Sequence, residues 1–208
     1  KFYDNAVEVV CEYMDKINEM AGTDYKPFNY YGSKNATKVI IAMGSVCDTI
    51  KETTNYLGGE IGLIEVHLYR PFSVKYLLSV LPSSVKSIAV LDRTKEPGSN
   101  GEPLYLDIVS ALKGKDIEIV GGRYGLSSKD TTPGMIKAVF DSLDNPKNNF
   151  TIGINDDVTN LSLEYSDLDL GGNDKSFLLY GYGSDGTVSA AKTLLEIAGN
   201  NTDMYVQG

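Results

Sequence analysis

The chain has 208 residues, 42% of them hydrophobic and 23% charged, room for one large domain or one domain and part of another. A net charge of −9 and a pI near 4.6 give a surface that repels phosphate backbones, which argues against nucleic-acid binding. No run approaches the roughly 20 apolar residues that span a bilayer, so no membrane segment is expected. Two cysteines, Cys11 and Cys47, are too few for a cysteine-only zinc or iron–sulfur site and point to a reducing, cytoplasmic compartment. The single histidine, His67, lies in an apolar strand pattern and reads as packed rather than catalytic.

In chain order, Phe2 to Met20 carries Val7, Val10, Cys11, Met14, Ile17 and Met20 at helical spacing, with Gly22 as the stop. Tyr25 to Asn35 is aromatic, turn-rich and aperiodic, and is expected to be a strap between domains. From Ala36, strands and helices alternate. Lys38–Met43 is a strand, and Gly44-Ser45 turns it into a helix closed by Gly58-Gly59. Ile61–Leu68 is the next strand, and Ser73 is placed to cap a helix that runs to Leu81. The short apolar run Ile88–Leu91 has the composition of a strand buried on both faces. It ends in a polar loop and then a helix carrying Leu104, Ile108 and Leu112. Ile117–Val120 is the fourth strand, Pro133 starts a helix after Thr131 or Thr132, and Phe150–Ile154 is a short last strand. The expected fold is α/β: a mainly parallel sheet with helices on both faces.

Asp156 to Lys175 loses this rhythm and reads as a linker. A new unit then opens with a strand at Phe177–Tyr180, the loop Gly181-Tyr182-Gly183-Ser184-Asp185-Gly186, a helix over about Val188–Ala198 stopped by Gly199, and the beginning of another strand at Met204–Val206. One strand and one helix bury neither face of a sheet, so this unit needs more chain or a docking surface. The chain also begins at Lys1, inside a helical pattern, which suggests a segment cut from a longer polypeptide.

Two stretches carry possible chemistry. Gly181, Gly183 and Gly186 form G-x-G-x-x-G between strand and helix, a pattern that lets backbone approach a phosphate at a helix N-terminus. Asp185 puts a carboxylate where a pyrophosphate would lie, so a tight turn that caps the helix remains an equal reading. The second stretch follows the Ile88–Leu91 strand, where Asp92, Arg93, Lys95 and Glu96 crowd five positions. This loop is either a docking face or an internally ion-paired edge. No thiamine-binding glycine-aspartate-glycine, clustered cysteines, Walker motif or nucleophile elbow is present, so no complete active site is legible.

The runs VIIAMGSVCDTI (39–50), VHLYRPFS (66–73), IAVLDRTKEPGSNGEPLYLD (88–107), GGRYGLSSKDTTP (121–133), FTIGINDDVTNLSL (150–163) and GSDGTVSAAK (183–192) resemble the pyruvate:ferredoxin (flavodoxin) oxidoreductase family in order and across nearly the whole chain. The resemblance implies part of a thiamine-diphosphate, magnesium and iron–sulfur enzyme that turns pyruvate and coenzyme A into acetyl-CoA and CO2 and reduces ferredoxin or flavodoxin. On that likeness residues 1–32 are an N-terminal helix and linker, and 33–158 are a domain similar to the C-terminal domain of transketolase. Residues 159–174 link it to 175–208, the start of a coenzyme A-associated α/β domain. The resemblance carries Gly183, Ser184, Asp185, Gly186, Thr187 and Lys192 to the coenzyme A loop. Ser189 and Ala191 depart from the family's usual glycine and asparagine. Arg70, Asp92, Arg93, Lys95, Glu96 and Arg123 are expected at domain interfaces, with the other domains of a homodimeric parent as partners. The isolated chain is expected to be inactive, its role being architecture. The alternatives are a free-standing nucleotide-binding protein using the Gly181–Gly186 loop, or a non-catalytic interaction module docking through residues 92–103.

Overall fold

A computed structural model describes residues 3, 5–155, 157–171, 175 and 177–206, which divide into two compact units, 1–170 and 171–208. In the first, α1 (Ala6–Ala21) is followed by β1 (Phe28–Gly32), β2 (Lys38–Ala42), α2 (Val46–Leu57), β3 (Ile61–Val66), α3 (Val74–Val80) and β4 (Ser87–Asp92). Then come α4 (Pro103–Ala111), β5 (Glu118–Arg123), α5 (Pro133–Ser142) and the two-residue β6 (Phe150–Thr151). The six strands form one sheet in the order β1-β3-β2-β4-β5-β6, parallel throughout except for β1 against β3.

The strand sequences explain this burial. Successive side chains point to opposite faces, so a strand covered on both sides must be apolar at every position. Along β2, Ile40 and Ala42 join one core with Leu63, Leu91 and Val120 under α2 and α5. Val39 and Ile41 join the other with Ile64, Ile88 and Val90 under Leu77 of α3 and Leu104 and Ile108 of α4. Each of these buried Ile or Leu side chains adds about 1.5–3 kcal/mol relative to exposure. The expected mainly parallel α/β sheet with helices on both faces is the observed fold.

Some elements differ from expectation. The strap expected over Tyr25–Asn35 contains β1, an antiparallel edge strand that buries Phe28. Its pairing depends on close approach: a Cβ at Gly62 would lie 2.3 Å from the Tyr30 hydroxyl oxygen, so only glycine leaves room for that ring. The strand expected over Ile117–Val120 is β5; it starts at Glu118 and runs on to Arg123, because Gly121 to Arg123 pair with β4 up to Asp92. Ser73 stands before α3 without a side-chain cap bond, whereas Thr132 accepts the Met135 N–H at 3.4 Å. Helix α1 starts at Ala6; the expected start at Phe2 lies outside the described residues.

The expected linker begins as a strap on the first unit. Thr151 N–H donates to Leu161 O and Leu163 N–H to Thr151 O, both at 2.9 Å. Gly134 of α5 lies so near it that a Cβ would fall 2.1 Å from Ser166 O. The Asp157 carboxylate accepts the Thr159 hydroxyl and the N–H groups of Thr159, Leu161 and Ser162; the hydroxyl bond first, then the backbone ones, hold its pKa at about 2. Asp156, Gly172–Asp174 and Ser176, also in or beside that linker, lie outside the described residues.

The second unit contains α6 (Thr187–Asn201), which runs past the stop expected at Gly199. The expected strand at Phe177–Tyr180 is unpaired and 51–86% exposed. The stretch Met204–Val206 is likewise without strand structure. The cause is physical: a strand needs a neighbour for its backbone groups, and no described residue of this unit supplies one. None of its described residues is buried.

Candidate functional site

The charged loop after β4 sits where the topology makes a crevice. From β2 the chain moves to β3 on one side, then crosses to β4 on the other, so the carboxyl ends of β2 and β4 diverge toward helices on opposite faces. A cavity of about 380 Å³ lies there, lined by Gly44, Ser45, Tyr69, Asp92, Arg93 and Tyr124 among others. The Tyr124 hydroxyl donates to Met43 O at 3.4 Å, and burial raises its pKa.

The charges of the loop divide into two sets. Asp92 is only 6% exposed and points inward, its two oxygens accepting the N–H groups of Leu104 (3.0 Å) and Tyr105 (3.1 Å). It therefore caps α4 from the end of β4, a task that Glu102, next to Pro103, does not perform with its own side chain. Burial raises the Asp92 pKa and the two backbone bonds pull it back part of the way. Glu102, 1% exposed, accepts from Arg123 Nε at 2.6 Å, and Arg123 Nη1 also reaches Asn149 O at 3.4 Å. Arg70 lies over the Tyr69 ring, 3.8 Å from its centroid, and its Nη2 is 2.8 Å from an Asp107 carboxylate oxygen.

Arg93, Lys95 and Glu96 form the outer set. They are exposed; Arg93 Nε donates to Gly125 O at 3.4 Å, and no ion pair links Lys95 or Glu96 to another described residue. Glu102 and Tyr124 were not singled out from sequence, and Gly44-Ser45 was read only as a turn into a helix. Gly44, Ser45 and Tyr124 reach the cavity only because β2 and β5 both flank β4 in the sheet, and Glu102 lies next to its lining residue Pro103. Asp92, Glu102 and Arg123 brace the loop through these bonds, and no group of His, Cys, Asp and Glu among the described residues is arranged to hold a metal ion. His67 packs edge-on against Tyr25, with ring centroids 5.1 Å apart, and its Nε2 stands 3.6 Å from Glu65.

In the second unit the glycine loop folds as a helix cap. Gly183 and Gly186 both have positive φ, 79° and 85°, which glycine adopts without strain. The Asp185 carboxylate accepts Tyr182 N–H at 2.8 Å and Thr187 N–H at 2.9 Å. Those bonds from Thr187 and Tyr182 hold its pKa at about 2. The Thr187 N–H at the head of α6 thus already has an anion, and a phosphate at that point would meet the carboxylate. Lys192 is exposed one turn into the helix.

A mainly parallel sheet covered by helices on both faces, with a charged loop at its switch point, defines the first unit as an open α/β domain. Residues 36–136 match the family described as pyruvate:ferredoxin oxidoreductase core domain II. The pyruvate-flavodoxin oxidoreductase of Enterobacter agglomerans is 51% identical over all of this chain and 18% of that protein. The pyruvate:ferredoxin oxidoreductase of Moorella thermoacetica is 52% identical over 96% of this chain and 18% of that protein. The chain belongs to the pyruvate:ferredoxin (flavodoxin) oxidoreductase family, and it spans 18% of the length of these relatives. Among solved structures, the 2-oxoglutarate:ferredoxin oxidoreductase of Magnetococcus marinus matches 67% of this chain and 23% of that one, at 18% identity and a TM-score of 0.43, a likeness too slight to build on.

Proposed function

We propose that the chain is the second-domain scaffold, and the opening of the following domain, of an enzyme that oxidatively decarboxylates pyruvate. The parent would use thiamine diphosphate with magnesium, form acetyl-CoA from coenzyme A, and pass electrons through iron–sulfur clusters to ferredoxin or flavodoxin. The observation that carries this reading is identity of about half the residues across nearly the whole chain to proteins named for that reaction. The donor set here agrees with a supporting role. Of the two cysteines, Cys47 is buried, and its burial, with the Glu65 carboxylate nearby, pushes the thiol up to about 12, a poor state for a cluster ligand. Thiamine and clusters would therefore be held by other parts of the polypeptide.

In this reading residues 33–158 brace the neighbouring domains, residues 159–174 connect, and residues 175–208 open the coenzyme A-associated domain. Lys95, Glu96 and Arg93 would meet another domain, while Asp92, Arg70 and Arg123 hold the loop in shape for that contact. Gly183, Ser184, Gly186 and Lys192 would approach coenzyme A. Because Asp185 occupies the N–H of Thr187, they would do so by orienting the loop and offering the Ser184 hydroxyl and Lys192 ammonium, not by seating a phosphate on that N–H. The same carboxylate counts against a free-standing dinucleotide-binding protein. The whole enzyme would be a cytoplasmic homodimer; no described helix of this chain is long and apolar enough to cross a membrane. The test is to express the full-length polypeptide that carries this chain and measure pyruvate- and coenzyme A-dependent reduction of ferredoxin or flavodoxin. Acetyl-CoA formation coupled to that reduction is expected, and a reconstituted full-length protein that is inert toward pyruvate would overturn the assignment.

A further inference from the structure

Helix α1 has more apolar surface than its own unit covers. Val7 is buried, and Val10, Cys11, Met14 and Asn18 are half-buried on the same side. The helix is anchored there. The Cys11 thiol beside it, together with burial, pushes Tyr76 of α3 up to about 12, so this side of α1 faces α3. At its end, Gly22 N–H donates to Asn18 O at 2.8 Å, and the Asn18 side chain holds both the N–H and the carbonyl of Tyr25.

On another side, Val9, Tyr13, Ile17 and Met20 recur at spacings of four and three and are 48%, 60%, 50% and 88% exposed. Such spacing puts them in one stripe along the helix. Glu8, Glu12, Asp15 and Glu19 recur at the same spacings and form an exposed acidic ridge alongside. Between the two stripes stands Lys16, whose ammonium is 4.7 Å from the Tyr13 ring centroid. A surface helix normally buries one apolar stripe and turns charge outward; this one is anchored on a second side and still shows a continuous apolar stripe.

We infer that this outer stripe of α1 is a docking surface for an apolar surface flanked by lysine or arginine, contributed by a portion of the same polypeptide beyond these 208 residues. Two observations select that occupant. The acidic ridge, on a chain of net charge −9, disfavours a second copy of α1 and favours a basic rim. The relatives are several times longer than this chain, so a covering surface need not come from another protein. The inference rests on the family reading but not on the reaction catalysed.

The test is hydroxyl-radical footprinting of the full-length polypeptide, with Tyr56 of α2, 53% exposed, as internal reference. Met20 and Tyr13 are expected to lose most of the labelling that their exposure here implies, at every protein concentration. The double variant Glu12→Lys/Glu19→Lys is expected to restore it while Tyr56 labels as before. Full labelling of Met20 in the unaltered protein would overturn the proposal. So would protection lost on dilution, which would mean a second copy, or protection untouched by the charge reversal, which would remove the basic rim. The readout does not involve turnover, so a protein inactive toward pyruvate but protected at Met20 sinks the functional reading and leaves this one standing.

Discussion

The two units use one device with opposite outcomes. In residues 1–170, β4 runs into a loop and α4, and the Asp92 carboxylate accepts two N–H groups. In residues 171–208, Phe177–Tyr180 runs into a loop and α6, and the Asp185 carboxylate again accepts two N–H groups. Around the first, β2 and β5 flank the strand, and Ile88 to Leu91 are at most 1% exposed. Around the second, the matching apolar residues stand in solvent. The carboxylates report the difference: burial dominates at Asp92 and raises its pKa, whereas hydrogen bonds from Thr187 and Tyr182 dominate at Asp185 and lower it to about 2. A strand–loop–helix unit is locally specified in both places, but only neighbouring strands turn it into a core.

The largest expected effect lies in the buried pair of the first unit. Glu102→Ala leaves Arg123 half-buried without its carboxylate and should cost about 3 kcal/mol. Urea unfolding measures this; a loss under about 1 kcal/mol would mean that the pair is replaceable by water. Asp92→Ala should cost about 2 kcal/mol, since Leu104 and Tyr105 both lose their acceptor in a dry setting. Gly134→Ala should cost about 1 kcal/mol, with the 161–168 strap lifting from α5 instead of the core deforming. Faster proteolysis within that strap, with little change at β4, is the expected signature.

Much of the fold was legible because β2 and β4 carry the apolar runs Val39–Ala42 and Ile88–Leu91, β3 is apolar but for Gly62 and Glu65, and helical spacing separates them. The edge strand β1 was not, because its five residues include Asn29 and Gly32 and pair only through the room left at Gly62. The strap against β6 was hidden because its hydrogen bonds are backbone ones, which leave no side-chain pattern. At the crevice, Asp92 and Arg93 were visible as a charge cluster. Glu102 and Arg123 lie 21 residues apart and meet only when β4 and β5 pair, so no spacing rule links them. The strand expected at Phe177–Tyr180 had the right composition, but composition does not supply a partner.

The smallest expected effect sharpens the contrast. Asp185→Ala should fray the first turn of α6 while leaving the unfolding midpoint of the sheet unit unchanged. The two caps should also respond oppositely to acid. With its pKa lowered from 3.8 to about 2, Asp185 stabilises its turn fully above 3.8, and the contribution fades as pH falls toward 2. Asp92 has a raised pKa, so folding favours its neutral form, and that contribution is lost as pH rises through the folded value. The amide shifts of Thr187 and Leu104 should therefore titrate with midpoints below and above 3.8.

Native-state hydrogen exchange on the 208-residue chain tests the division most directly. Amides of β2, β3, β4 and β5 should exchange only through global unfolding of the first unit, while those of Phe177–Tyr180 and α6 should exchange through local opening alone. Equal protection across the two units would contradict it, because the second would then own a core that its exposed side chains do not provide.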